Sequence, residues 1–240
     1  MGSSPLVSIV LVTRRAGFLP YILRLIDRQD HSPREVVLVL HGLQRKMLPR
    51  PTQRLVETAS RTVLELGPDL PLGTCLNEGI AAARGDIVAK MDDDDLYGRR
   101  YLSEAVQAMR THAAPVVGKV EHFVYRVPQR ELMLWGPGAA WLEQDFLTGP
   151  SLVFEAHLGR TPGFQPVGLA EDRYFAEDCR RKGHRLLATS RRNLVVRRFR
   201  PGASHLAAER AGDRCSRHRA EARFRPCPGP YPAARRQRVT

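Results

Sequence analysis

Apolar residues along the chain fall into short runs separated by turn-forming clusters, and the runs alternate between two periods. "LVSIVLVT" (6–13) is continuously apolar and rich in β-branched residues, the pattern of a strand buried on both faces. Behind it Leu19, Ile22, Leu23, Leu25 and Ile26 fall close to one stripe of a 3.6-residue period, which predicts a helix. "REVVLVLHG" (34–42) then reads as a second buried strand that Gly42 ends. Strand, helix, strand in so short a stretch is a βαβ unit with a right-handed crossover, so a parallel sheet is expected. The alternation continues with a helix over 52–60, a strand at "RTVLEL" (61–66) and a turn carrying Gly67, Pro68, Pro71 and Gly73. A helix at "TCLNEGIAAARG" (74–85) follows, with Thr74 as its expected cap and Gly85 as its stop. "DIVAKM" (86–91) is the next strand.

Past a helix over 101–112 the pattern changes. "PVVGKVEHFVYRV" (115–127) suits one long strand or two short ones, so the sheet is expected to become mixed. "SLVFEA" (151–156) is another strand, "LAEDRYFAEDCRRKG" (169–183) a helix closed by Gly183, and "HRLLATS" and "NLVVRRF" are late strands. The whole is one α/β domain over 1–209. Residues 210–240 mix Arg, Pro and Ala with too few large apolar side chains to offset the entropy of ordering them, and a disordered tail is expected there.

Charge changes this picture little. The formal net charge is +13, yet 210–240 holds nine arginines against Asp213 and Glu221, a net of +7. Only four of the 38 basic residues are lysines, which GC-rich codon usage explains as well as an anionic partner does. A nucleic-acid partner is therefore disfavoured, and peripheral contact with an anionic membrane leaflet stays open. No apolar run reaches the length of a membrane span, and the N-terminus has no basic residue ahead of its apolar run, so a cytoplasmic location is the default expectation, with the inner face of the membrane as the other. Cys75, Cys179, Cys215 and Cys227 show no metal or disulfide spacing.

The candidate chemistry lies in "MDDDD", at the carboxyl end of the 86–91 strand, where open α/β sheets bind ligands. Carboxylates about 4 Å apart repel by roughly 4 kcal/mol at an effective dielectric near 20, so four in a row call for solvation or a cation. On extended backbone Asp92 and Asp94 point the same way, forming a D-x-D pair able to hold Mg²⁺ or Mn²⁺ together with substrate phosphate oxygens. A solvated acidic turn without a ligand is the plainer alternative.

"LNEGIAAARGDIVAKMDDDDLYGRRYL" resembles the central segment of the family 2 glycosyltransferases. The likeness extends to "VSIVLVT", "LTGPSLVF" (147–154), "GFQPVGLAEDRYFAEDCRRKGHRLL" (163–187) and the N-x-V-x-R run from Asn193 to Arg197. It implies a GT-A fold, a Rossmann-like α/β domain with a mixed, mostly parallel sheet flanked by helices. It further implies a metal-dependent inverting transferase that moves a sugar from a nucleotide-sugar donor to an acceptor, whether glycan, lipid-linked or small molecule. By that resemblance Asp92 and Asp94 bind the Mn²⁺ or Mg²⁺ and the donor diphosphate, with Asp95 able to take over one role. Glu171 and Asp172 carry the catalytic base, and His205 completes the metal shell. A carboxylate within hydrogen-bond reach can take the acceptor's proton, whereas first-turn acids are also stabilised by the helix dipole alone. Arg84 is a candidate phosphate contact or an exposed helix-end cation.

The chain departs from the family pattern where acidic residues commonly end the second strand and read the nucleobase. Leu40-His41-Gly42 stands there, which makes His41 or backbone the candidate base contact, and Arg14-Arg15 follows the first strand where an Asn-Arg pair is common, with Thr13 and these arginines expected to line the nucleotide pocket. Trp135 and Trp141 lie where an acceptor surface is expected, or are buried structural residues. Three rivals remain at this point: a nucleotidyltransferase, a basic nucleic-acid-binding protein, and a non-catalytic GT-A relative.

Overall fold

The computed structural model describes residues 4–199; the 210–240 tail, His205, Cys215 and Cys227 lie outside them. The continuous apolar runs form the strands that are buried on both faces. Strand β1 (Val7–Thr13) lies at the centre, flanked by β2 (Arg34–His41) and β4 (Ile87–Asp92), both parallel to it, and β3 (Arg61–Leu66) pairs parallel with β2. Beyond β4 come β9 (Val153–Glu155), β6 (Val116–Gly118) and β10 (Leu186–Ala188), completing a seven-stranded sheet in the order β10-β6-β9-β4-β1-β2-β3. Within that sheet β9 runs antiparallel to both neighbours, so it is mixed and mostly parallel.

Helices cover both faces. Val7, Ile9 and Leu11 of β1 share one apolar cluster with α1 (Leu19–Asp27) and α4 (Tyr101–His112). Val10 of β1 and Val37 of β2 pack in the other, with α3 (Leu72–Ala81), α5 (Ala156–Arg160) and α6 (Glu171–Arg181). Period-2 alternation along one strand therefore supplies two cores at once. The remaining helix, α2 (Arg50–Val56), packs beside α1 and is shorter than the 52–60 pattern suggests.

Two expectations are corrected. Thr74 does not cap α3: the helix starts earlier, with Pro71 at its N-cap position and no side-chain cap, so Thr74 already lies inside the first turn. Gly85 lies beyond the helix end at Ala81 and instead lets the chain pass over β1, where a Cβ would sit 2.5 Å from the Leu6 carbonyl oxygen. The late strand "NLVVRRF" does not join the main sheet. As β11 (Leu194–Arg198) it enters a second, four-stranded sheet with β5 (Leu96–Tyr97), β7 (His122–Arg126) and β8 (Glu131–Trp135), in the order β5-β11-β7-β8. That small sheet begins directly after the aspartates, through β5. It carries the chain's last described strand back to them.

Candidate active site

Strand register brings three sequence candidates to one edge. Val12 is opposite Asp92 and Thr13 opposite Leu40, so Thr13, His41 and Asp92 end adjacent parallel strands at their carboxyl side. The four aspartates follow as the strand turns, and they divide into two pairs. Asp93 and Asp95 are buried, at 3% and 1% exposure, whereas Asp92 and Asp94 are half-exposed.

The buried pair is committed to protein partners. Asp93 accepts hydrogen bonds from Thr13 Oγ1 and from the Arg15 guanidinium. Burial pushes the Asp93 carboxyl up, and those same bonds oppose the shift. Asp95 accepts from the backbone amide of Arg197 in β11 at 2.8 Å, and the Arg197 guanidinium also donates to the Asp94 carbonyl. Burial, then the charge of Asp92, push Asp95 well above the usual carboxylate range. Asp95 is thus a clamp on the second sheet, and the expectation that it could stand in for Asp92 or Asp94 fails on burial.

The half-exposed pair keeps chemistry in reach. Asp92 Oδ1 accepts from Lys90 Nζ at 2.7 Å, and Asp94 Oδ2 accepts from Arg15 Nη1 at 2.9 Å; each carboxylate has a second oxygen. Among the described residues no group of three or more His, Cys, Asp or Glu forms a metal cage. Two oxygen-donor carboxylates fit Mg²⁺ or Mn²⁺, which commonly take one or two carboxylates and complete their shell with water and substrate phosphates. They do not fit a closed zinc site, which needs four protein ligands.

Glu171 and Asp172 open α6, directly behind Ala170, whose φ of +62° is a left-handed conformation rare for a residue with a Cβ. The turn aims the acidic pair back at the aspartates, and two linkages join the groups. In the first, Lys90, 4% exposed on β4, lies 2.7 Å from Asp92 and 3.9 Å from Glu171 Oε1. In the second, the Asp92 amide donates to Tyr97 Oη at 2.9 Å, and Tyr97 Oη donates to the Pro150 carbonyl at 2.9 Å. Pro150 belongs to a short turn at Gly149–Ser151, and Gly149 packs so closely on Asp172 that a Cβ there would lie 2.1 Å from its Oδ2. Burial pushes Glu171 up to about 7, with the Lys90 charge opposing and the Asp172 charge reinforcing it.

At the end of β2, where the sequence reading expects a nucleobase contact, stands His41. His41 is buried, and Arg14 stacks its donors along the imidazole, with Nε 3.1 Å from Nδ1 and Nη2 2.8 Å from Nε2. Arg14 also donates to the Pro68 carbonyl. Burial, with the Arg14 charge second, lowers the His41 pKa, so the ring is neutral at pH 7.

The structure does not bring Arg84 to this site. Its guanidinium pairs with Glu35 at 2.7 Å, and it precedes β4, at the opposite end of the sheet from the aspartates. A strand of six residues separates them, roughly 20 Å at 3.3 Å per residue. Arg84 is therefore paired with Glu35 and is not a phosphate contact of this site. Nor is Trp141 buried: it is 46% exposed and stacks on His112 with ring centres 5.7 Å apart, while Trp135 is half-buried in β8.

Lys90, Tyr97 and Gly149 escaped the sequence reading, and Arg197 was given no role in it. One signal was available for the first: a lysine inside the run "DIVAKM" is a charge in a strand buried on both faces, two residues before Asp92 and so on its side of the sheet.

Several solved structures share this fold. A mannosyltransferase from Pyrobaculum calidifontis, PcManGT, in complex with GDP-Man and Mn²⁺, superposes with a TM-score of 0.65 at 23% identity, covering 86% of this chain and 60% of that one. Residues 1–349 of TarS from S. aureus in complex with UDP-GlcNAc give 0.61 at 17% identity, over 84% of this chain and 60% of that one. At these identities the likeness establishes the fold, and this chain spans about 60% of each structure's length. No curated protein matches the chain. The model of the family described as "Glycosyl transferase family 2" matches residues 8–160, from the first strand through the aspartates and the Gly149 turn. Since that match takes in more than half of the sequence and the carboxyl ends of β1, β2 and β4, the chain belongs to glycosyl transferase family 2.

Proposed function

We propose that the chain transfers a hexosyl group from a nucleotide-sugar donor to an acceptor hydroxyl, with inversion at the anomeric carbon and with Mn²⁺ or Mg²⁺ held by Asp92 and Asp94. The observation that carries this reading is the double linkage between the aspartates and the α6 acids, through Lys90 and through Tyr97 and the Gly149 turn. It ties a candidate diphosphate-binding group to a candidate proton acceptor through fixed contacts, which is what a single in-line displacement needs. The structures that hold GDP-Man with Mn²⁺ and UDP-GlcNAc support the donor class and the metal, without fixing the base.

Asp172 is the base in this reading. It is half-exposed at the start of α6, whereas Glu171 is buried against Lys90. The acceptor O–H gives its proton to Asp172 as its oxygen forms a bond to the anomeric carbon; the bond from that carbon to the diphosphate oxygen breaks, and the electron pair leaves with the nucleoside diphosphate. Attack on the side opposite the leaving group inverts the centre. A bound divalent ion supplies neutralisation of the charge developing on the diphosphate. Thr13 and the buried, neutral His41 border the nucleotide, and Arg14 and Arg15 make that border cationic.

The test is a binding and hydrolysis screen of UDP-, GDP- and dTDP-sugars with and without Mn²⁺. Asp94→Asn should weaken metal-dependent donor binding about tenfold or more, and Asp172→Asn should keep donor binding while lowering turnover about 100-fold or more. Donor binding that ignores both the metal and Asp94 would falsify the reading.

A further inference from the structure

Arg15 leaves the end of β1 and grips the acidic loop in two places. One edge of its guanidinium binds Asp93, with Nε 3.2 Å from Oδ2 and Nη2 on Oδ1. The remaining nitrogen, Nη1, reaches Asp94 Oδ2 at 2.9 Å. These two contacts differ in permanence. Asp93 is 3% exposed and also accepts from Thr13 Oγ1, to which the Arg15 amide donates at 2.9 Å, so that side is closed against water. The Phe18 ring supports the guanidinium from one face, 4.7 Å from its centre. The Asp94 side lies open: its carboxylate is 23% exposed, and a single rim ion pair contributes little.

We infer that Arg15 is a ligand for the donor's diphosphate, held in position by Asp93 and masked by Asp94 until a divalent cation takes that carboxylate. The inference rests on the proposed function and deepens it. A cation and Nη1 compete for the single negative charge of the Asp94 carboxylate, so a cation bound there weakens the hold on Nη1. When the cation wins, Nε and Nη2 remain on Asp93, so the guanidinium does not swing away. Its freed N–H then points at the place the cation has entered. Two positive centres side by side repel, and a diphosphate bridging them relieves both, accepting a charge-assisted bond from Nη1. Arg197 adds positive charge beside Asp94, where its guanidinium donates to the Asp94 carbonyl and packs against Phe18, Tyr21 and Phe199. On this account Asp93 has a task distinct from metal binding: it keeps a cation pre-positioned that would otherwise be lost to solvent.

The opposing signs make the inference testable on the full chain. Free Mn²⁺ is followed by its electron paramagnetic resonance signal, and binding of pyrophosphate, UDP and GDP in the presence of Mn²⁺ by calorimetry. Arg15→Ala should tighten Mn²⁺ binding in the absence of anion by about threefold or more, since the competitor is gone, and weaken Mn²⁺-dependent pyrophosphate binding by about tenfold. The loss should be equal for pyrophosphate, UDP and GDP. Unchanged pyrophosphate binding, weaker Mn²⁺ binding, or a loss confined to one nucleotide overturns the inference and leaves the proposed function standing. Failure of the wild-type chain to bind Mn²⁺ together with any nucleotide overturns both. If Arg15→Ala does not fold, Arg15→Lys decides: a lysine keeps the charge but cannot hold Asp93 and reach outward at once, so pyrophosphate binding should still fall about threefold or more.

Discussion

Individual residues of one type take different roles here because their surroundings differ. Of four consecutive aspartates, Asp93 and Asp95 are buried anchors, for Arg15 and for β11, while Asp92 and Asp94 stay half-exposed. Sequence alternation indicated that division, but not that the inward pair is as fully engaged as the outward one. Glu171 carries a measurable consequence of burial. Folded, it holds its proton up to about pH 7, against an ordinary 4.5 when exposed, so between those values the native state binds more protons than the unfolded one. Stability therefore falls as pH rises across that window. Glu171→Gln removes this cost, and the variant should gain on the order of 2 kcal/mol over wild type between pH 5 and pH 8. Denaturant melts at both pH values check it; a stability difference that does not change with pH refutes it. Gly149 supplies a second case. Gly149→Ala places a methyl group in the space of the Asp172 carboxylate, so turnover should drop about 100-fold while donor affinity hardly moves.

At the level of elements, what was legible was whatever hydrophobic period controls. The strands β1, β2 and β3 and the helix α4 were readable within a residue, because each is set by its own burial pattern. Pairing was not readable. "NLVVRRF" looks like any other strand, and only the Asp95 bond to the Arg197 amide and the pairing of Leu194 with Tyr97 show why it joins the small sheet. The same limit hid the partners of the site. Asp92 and Glu171 were visible as motif residues, but the connection through Lys90 and Tyr97 depends on contacts that span 53 and 81 positions. Those linkages can be broken singly. Tyr97→Phe leaves both the Asp92 amide and the Pro150 carbonyl without a partner in a buried place, which should cost about 1–3 kcal/mol and loosen the Gly149 turn. Ala170 points the other way: its left-handed φ of +62° is one that glycine adopts freely, so Ala170→Gly should stabilise the fold by up to about 1 kcal/mol. Unfolding midpoints of the two variants, shifted in opposite directions, are the expected result.

For the molecule as a whole, the choice between transferase and nucleic-acid binder turns on where the charge is. Residues 210–240 carry +7 of the total +13, which leaves +6 on the 209 residues that include every candidate of the site. Within the described part, several arginines away from the site are already neutralised locally, as Arg84 is by Glu35, Arg180 by Asp145 and Arg185 by Glu143. A donor diphosphate needs cations only at the cleft, whereas a duplex needs an array of them, and its affinity falls steeply with salt as the contacts release counterions. Deleting 210–240 separates the two demands. If the cleft is the functional site, the truncated chain keeps Mn²⁺-dependent nucleotide-sugar binding within about twofold, because the deleted charges lie outside the linked group of β4, the Gly149 turn and α6. Under the nucleic-acid reading, donor binding is absent in both forms. A short DNA duplex then binds the full chain with a strong salt dependence, and deletion abolishes that binding. Calorimetry with a UDP- or GDP-sugar and a duplex titration at two salt concentrations, run on both forms, give four numbers whose pattern fits one reading and excludes the other.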